Sequence, residues 1–582
     1  MKTISILCFL VFLGCSKKQS SSSHFKVLNQ VSSPLKHFDP HLTTDLASII
    51  QLSKVYESLY ETHPFNAPFG LLPNLAQDYP VISHDGLTYT LKIRNNIFFQ
   101  KDPAFNGKKR KLVAQDFATS FKRIADPHIV SPHYNYWNKH IVGLSEFYAT
   151  NKKLDKTNYQ LKIKGINVLD DYTLQIKIKH RNNLFINILS NIRTSPLPLE
   201  ALEYYKNDLS QVMIGTGPFI LKKYIRKSQI IFEKNLEYRE KLFPTTGDKA
   251  YTSILKEYGG KKIPFLDKIK VHVINEAQSA WLNFLRGKLD YLEVPKDNMN
   301  ETLSPSNNIS PGMNAKGIQL GFTSSLTNVY YFGINQQSPF LKNKFLRQAI
   351  AHAFDFNKYN QLFFNNIADL ANSVLPPNIP GNTPPIKADY LTKNTEKAKT
   401  LLAQAGYRNG KGLPEFVIIV KNTTLARQIA EFFQKEMSSI NIKIRVESVT
   451  WGNLLERAQK GKFDFFYLAW FVGVPSGFSF FELLYGPNYP DSFNRMGYQN
   501  KNFDHLFDMA YKMKAGKQQN DLVRKMNMMV QDDLPMIPLV HAKNIFVRQG
   551  WLKNYIPSEQ YGGLEKYYDI DQGLKTKLLE KF

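Results

Sequence analysis

Cysteine is nearly absent: the 582-residue sequence has two, Cys8 and Cys15, both among its first fifteen positions. Past that point no disulfide, thiol nucleophile or thiolate metal site is available. Catalytic signatures are missing too. There is no H-E-x-x-H, no Walker loop and no G-x-S-x-G, and the 13 histidines are scattered without metal-ligand spacing. "GTGPF" (215–219) lacks the lysine and third glycine of a phosphate loop and reads as a tight turn between strands. Asp170 and Asp171 stand in a turn context. No catalytic residue, metal ligand or resident cofactor can be named, and the chain is not expected to be an enzyme.

Acidic residues are in short supply, 49 Asp and Glu against 75 Lys and Arg, for a net charge of +26. Such an excess suits a polyanion. The lysines are dispersed, however, and the densest run, Lys108–Lys111 in "NGKKRK", reads as a solvated loop between a strand-like segment and a helix. Nucleic acid is therefore not the expected partner, whereas an anionic membrane surface suits the same charge.

Membrane-spanning length is lacking as well. The apolar stretch Ile4–Leu13 follows Lys2 and is too short for a stable span, which marks an export signal. It closes on Gly14 and Cys15, which resembles the lipobox of bacterial lipoproteins, where the cysteine is diacylated and becomes the new N-terminus. Two acyl chains would give lasting anchorage. The expected organisation begins with a signal over 1–15 and a polar tether over 16–24, containing "SKKQSSSS".

What is present is a globular composition, 43% hydrophobic and 13% aromatic, over a length that calls for more than one core. "LTYTLKIR" (87–94) and "YTLQIKIK" (172–179) alternate with period two and predict half-buried strands. "FVIIV" (416–420), a helical face over 425–437 and "IKIRV" (442–446) predict a strand–helix–strand unit in a parallel or mixed sheet. Helices are also predicted over 345–354 and from Asn394, a cap, to Gly406, a left-handed stop.

Ten pieces, among them "FDPH" (38–41), "VYESLY" (55–60), "DFATSFKRIADP" (116–127), "GTGPF", "LRGKLD" (285–290), "FLRQAIAHAFD" (345–355) and "PMIPL" (535–539), stand in the order of a known family. In them the chain resembles the extracytoplasmic solute-binding proteins of ABC importers that include dipeptide, oligopeptide and nickel binders. The resemblance implies an α/β protein with the two-lobed periplasmic-binding-protein type II fold and an extra subdomain inserted in lobe one. Lobe one would take residues 25–64, 181–294 and 531–582, the inserted subdomain 65–180, and lobe two 295–530. It further implies a monomer, lipid-anchored at the membrane in the periplasm, that closes on a peptide or other small solute and delivers it to a permease and ATPase complex.

One stretch departs from the family. "LAWFVGVPSGFSFFELLYGPN" (468–488) has no charged side chain between Leu468 and Glu482. In peptide-binding relatives the segment reads roughly Trp, two residues, Asp, Tyr, Pro, the aspartate holding the ligand's α-amino group. Here Trp470 and Pro475 fit that frame, but Gly473 and Val474 replace the Asp and Tyr. A peptide amine would then be held elsewhere, by Asp45 or Glu482, or the ligand has no cation there. Phe471, Phe478 and Phe480 would stack on a ligand or belong to the core. The resemblance also points to Thr44 and Asp45 after "FDPH", to Asn335 after "YYFGI", and to His541 after "PMIPL", each with an ordinary structural role open beside ligand contact.

Overall fold

The structure, a computed structural model, describes residues 25–580 apart from positions 36, 67–69, 183, 324, 378, 491–492 and 558–561. The expected signal, Cys15 and the tether lie outside the described residues. Sequence-distant segments meet at once: Val27–Ser32 runs parallel to Lys268–Val273, which continues antiparallel into Gln229–Lys234 and Phe219–Ile225. Leu28, Ile269, Val271, Ile230 and Phe232 are fully buried on one face, and Ile269 and Val271 alternate with Lys268, Lys270 and His272. The glycines of "GTGPF" explain how this sheet is seated. A Cβ on Gly215 would stand 2.0 Å from the Val55 carbonyl oxygen, and the Gly217 N–H donates to the same oxygen at 2.8 Å. It is a close backbone approach, not the expected turn between strands, because the segment follows the helix Leu199–Tyr204 and leads into Phe219–Ile225.

The two strands read from period-two alternation pair with each other, Thr88–Lys92 against Thr173–Lys177, in a four-stranded antiparallel sheet with Val81–Ile82 and Ile166–Asp170. This sheet shares one core with the first, and Ala114–Ile124 lies across it. Arg123 on that helix donates to both carboxylate oxygens of Asp39, at 2.9 and 2.6 Å, with both side chains buried. "FDPH" is thereby fastened to "DFATSFKRIADP". The "NGKKRK" run is partly tied down: Arg110 pairs with Asp116 and Glu200, and Lys109 faces Glu237.

A second core surrounds a six-stranded mixed sheet in the order Asp369–Leu370, Met536–His541, Asn328–Ile334, Phe465–Phe471, Phe416–Lys421, Ile444–Val449. The expected strand–helix–strand unit is here, Thr424–Ser438 joining the parallel strands Phe416–Lys421 and Ile444–Val449. Asn394 caps Thr395–Gln404 by accepting from the Lys397 N–H, and Gly406 adopts φ +92°. Helices cover both faces, so side chains of the central strand Phe465–Phe471 are buried alternately on either side. Phe465 and Tyr467 pack with Phe433 and Phe332, whereas Phe466, Leu468 and Trp470 pack on the other face. A strand with two buried faces has no room for charge, which accounts for the first half of the charge-free stretch.

Met536–His541 lies past the expected boundary at 530 and belongs to this six-stranded sheet. Its six residues are all buried and it pairs with Asn328–Ile334 and Asp369–Leu370 inside the six-stranded sheet. The chain then crosses back: Ile545–Arg548 is the middle strand between Tyr291–Glu293 and Gln319–Phe322. Two crossings thus lie side by side, 323–327 and 542–544, and they are bonded together. The Asn328 amide donates to the Ala542 carbonyl at 3.0 Å and accepts from the Ala542 N–H at 2.7 Å, and Asn544 N–H donates to Thr323 Oγ1 at 2.8 Å.

Candidate ligand-binding cleft

A cavity of about 830 Å³ opens beside these crossings, within the range of small-molecule sites. Its floor includes Phe322, Thr323 and Thr327. One wall comes from the helix Tyr134–His140 and the Ile192–Thr194 turn, both packed on the first core. The facing wall comes from Trp470–Val474 at the end of the central strand, from Phe478 and Glu482, and from Tyr511.

The strand enters the cavity because the Val472 N–H donates to the Thr327 carbonyl at 2.8 Å, pinning its end to the crossing. The chain then turns, and Ser476 caps the short helix Gly477–Phe481. Trp470 lines the cavity with its indole N–H donating to the Ser479 carbonyl at 2.9 Å and its ring 4.9 Å from that of Phe493. Gly473 lines it too, and a Cβ there would meet nothing within 4 Å. The two residues read from the family's frame are therefore together on one wall. The phenylalanines divide: Phe480 is core at 0% exposure, Phe471 is 56% exposed at the cavity, and Phe478 lines it while packing against Phe507 and Tyr511.

The other expected residues do not line the cavity. Thr44 is exposed, and the Asp45 carboxylate accepts from the Ser48 N–H at 2.9 Å as the cap of Leu46–Leu52. The loop touches the wall through its backbone instead, since the Thr43 carbonyl accepts from His133 Nε2 at 2.9 Å and Arg193 Nε at 3.3 Å. Asn335 sits beyond the far end of its strand, eight residues from Thr327 and so roughly 25 Å away. Its amide donates to the Gly461 and Phe463 carbonyls. His541 is 1% exposed and donates from Nδ1 to the Asn328 carbonyl at 2.8 Å. Burial lowers its pKa to about 4, so it is a neutral part of the crossing.

Tyr136, Arg193 and, at one end, Glu61 and Lys566, which no motif singled out, complete the cavity together with Glu57 of "VYESLY". Burial alone would raise the Glu57 carboxyl, but Arg239, bonded to both its oxygens, outweighs burial and lowers it. Glu61 is likewise pushed up by burial and held well below the usual carboxylate range by Lys241 and Lys566, at 2.7 and 2.6 Å. The outcome differs at Glu482. Burial raises its carboxyl to about 7, the exposed Lys139 opposing only in part. Burial also lowers His133 to about 4, with Arg193 adding to the effect, which leaves that imidazole neutral. Among the described residues no group of three His, Cys, Asp or Glu could hold a metal ion.

The family model for bacterial extracellular solute-binding proteins, family 5, middle region, matches residues 70–491. Heme-binding protein A of Haemophilus influenzae is 23% identical over 568 residues, 95% of this chain and 93% of its own. The glutathione-binding protein GsiB of Escherichia coli K12 is 25% identical over 557 residues, 92% and 94% of the two chains. Among solved structures, HbpA2 of Haemophilus parasuis superimposes with a TM-score of 0.75 at 22% identity, covering 94% of this chain and all of that one. DppA of Helicobacter pylori in complex with the peptide STSA gives 0.69 at 23%, over 94% and 98%.

Proposed function

Because the chain belongs to the bacterial extracellular solute-binding proteins of family 5, we propose that it captures a peptide between two closing lobes and delivers it to the permease of an ABC importer. The observation that carries this reading is the cavity itself, whose two walls belong to separate cores and whose floor includes Phe322, Thr323 and Thr327 at the crossing. Walls on separate bodies can approach each other about such a crossing and bury a solute. The relatives' names add support: glutathione is itself a peptide, and the Helicobacter pylori structure holds one.

In this reading lobe one comprises 25–64, 181–294 and the C-terminal segment from Ile545, with the inserted subdomain over 65–180. Lobe two is the six-stranded sheet and its helices. Backbone hydrogen bonds to an extended peptide would supply affinity with little dependence on side chains. No helix among the described residues is long and apolar enough to cross a membrane, and Cys15 is the proposed point of lipid anchorage. Cys15→Ser should move the mature protein from the membrane pellet to the soluble envelope fraction; a variant that still pellets removes the lipid anchor.

The decisive measurement is mass spectrometry of whatever the purified protein releases on denaturation. Peptides are expected. A haem, a metal chelate or an oligosaccharide in their place would keep the transport role and overturn the peptide.

A further inference from the structure

The charged groups lining the cavity are nearly all satisfied within the protein. Glu57 is matched by Arg239, and Glu61 by Lys241 and Lys566. Two are left over. Glu482, at the end of Gly477–Phe481, has no Lys, Arg or His nitrogen within 4 Å among the described residues. Arg193, in the Ile192–Thr194 turn of the opposite wall, uses Nε for the Thr43 carbonyl and has no carboxylate within 4 Å among the described residues. Asp45, the acid whose field reaches it, is engaged in capping its own helix. Tyr136, 45% exposed, interacts with both leftover charges.

Resting on the peptide reading above and narrowing it, we propose that Glu482 and Arg193 hold the two ends of a zwitterionic solute, Glu482 its ammonium and Arg193 its carboxylate. Each of these charges sits in a partly desolvated wall, where lost hydration is not repaid by an ion-pair partner among the described residues. A ligand bringing the complementary charge restores a charge-assisted hydrogen bond on each side, and the free Nη groups of Arg193 suit the two oxygens of a carboxylate. The elevated carboxyl of Glu482 agrees with an anion lacking a near cation. Gly473 leaves the wall beside Trp470 without a carboxylate, so Glu482, nine positions on, is the acid available to a cation there. Lys139, Tyr136 and Tyr511 are the titratable groups that face Glu482 from other elements.

The test offers the full-length protein three random tripeptide mixtures, with free termini, N-acetylated or C-amidated, and measures what is retained. Wild type should keep the free mixture over each capped one by about tenfold or more, the scale of one charge-assisted hydrogen bond. Glu482→Gln should lose the discrimination against acetylation and keep that against amidation; Arg193→Gln should do the reverse. Unliganded melting curves confirm that both variants are folded. Equal retention of free and capped mixtures by wild type, or an unchanged pattern in either variant, overturns the zwitterion. Retention of none of the three by wild type overturns the peptide reading itself, and the inference with it.

Discussion

Two glycines in this chain answer different demands. Gly215 has the Val55 carbonyl 2.0 Å from where its Cβ would be, and backbone cannot move aside as a side-chain tip can. Gly473 faces open cavity. Gly215→Ala is therefore expected to destabilise by about 2–3 kcal/mol or more, and Gly473→Ala by no more than about 0.5 kcal/mol. Urea unfolding of both variants checks the contrast. A second prediction concerns Glu482, whose carboxyl burial raises to about 7 from its ordinary 4.5. Between those values the unfolded chain has lost the proton and the folded chain keeps it. This group's contribution to stability therefore declines as pH rises through that window. Tyr136 and Tyr511, which face it, are both pushed up by burial and stay neutral there. Melting temperatures of the unliganded protein from pH 5 to 8 should fall less steeply in Glu482→Gln than in wild type, and superimposable slopes would remove the shift.

At the scale of elements, the two crossings act as one because Asn328 stands in for a strand partner, giving and taking a hydrogen bond with Ala542 at 0% exposure. Asn328→Ala would leave a buried N–H and a buried carbonyl unmatched, at a penalty of about 2–4 kcal/mol. Differential scanning calorimetry reads it directly; a loss under about 1 kcal/mol would mean that water takes over both groups. Elements were also the scale at which the sequence was most legible. Period-two alternation at 87–94 and 172–179, and the cap and stop at Asn394 and Gly406, are set by neighbours in the chain and survive in the fold. The end of lobe two was not legible in the same way. Met536–His541 is apolar enough for either sheet, and its membership is decided by Asn328–Ile334, some two hundred residues earlier.

For the whole molecule, the family motifs proved to be fasteners. Asp39 meets Arg123, Glu57 accepts from Thr216 of "GTGPF", and Arg347 of "FLRQAIAHAFD" donates to the Asp533 and Leu534 carbonyls just before "PMIPL". These joints hold the fold together, and for that reason they say little about cargo. Trp470 and Gly473 could be found from a motif frame. Arg193 and Tyr136 could not, since nothing in a sequence marks which charge will lack a partner after folding. The sequence leaves Glu482 and Asp45 as equal candidates, and only geometry separates them. Ligand-driven closure about the crossing should shrink the radius of gyration of a monomer. Small-angle scattering with and without saturating tripeptide checks it, and an unchanged radius would mean that the walls do not move.

The parallel pairing of Val27–Ser32 with Lys268–Val273, and the central place of Ile545–Arg548 between two earlier strands, also have a temporal meaning. A chain that emerges amino end first offers its opening strand long before the strand it needs. Contacts of such separation form slowly, because loop closure must precede any gain. The six-stranded body is complete once His541 is out, whereas the three-stranded sheet beneath the cavity must wait for Arg548. The half of the protein made first is thus the half finished last, and in the interval its unpaired edges are open to whatever chaperone or neighbour is at hand.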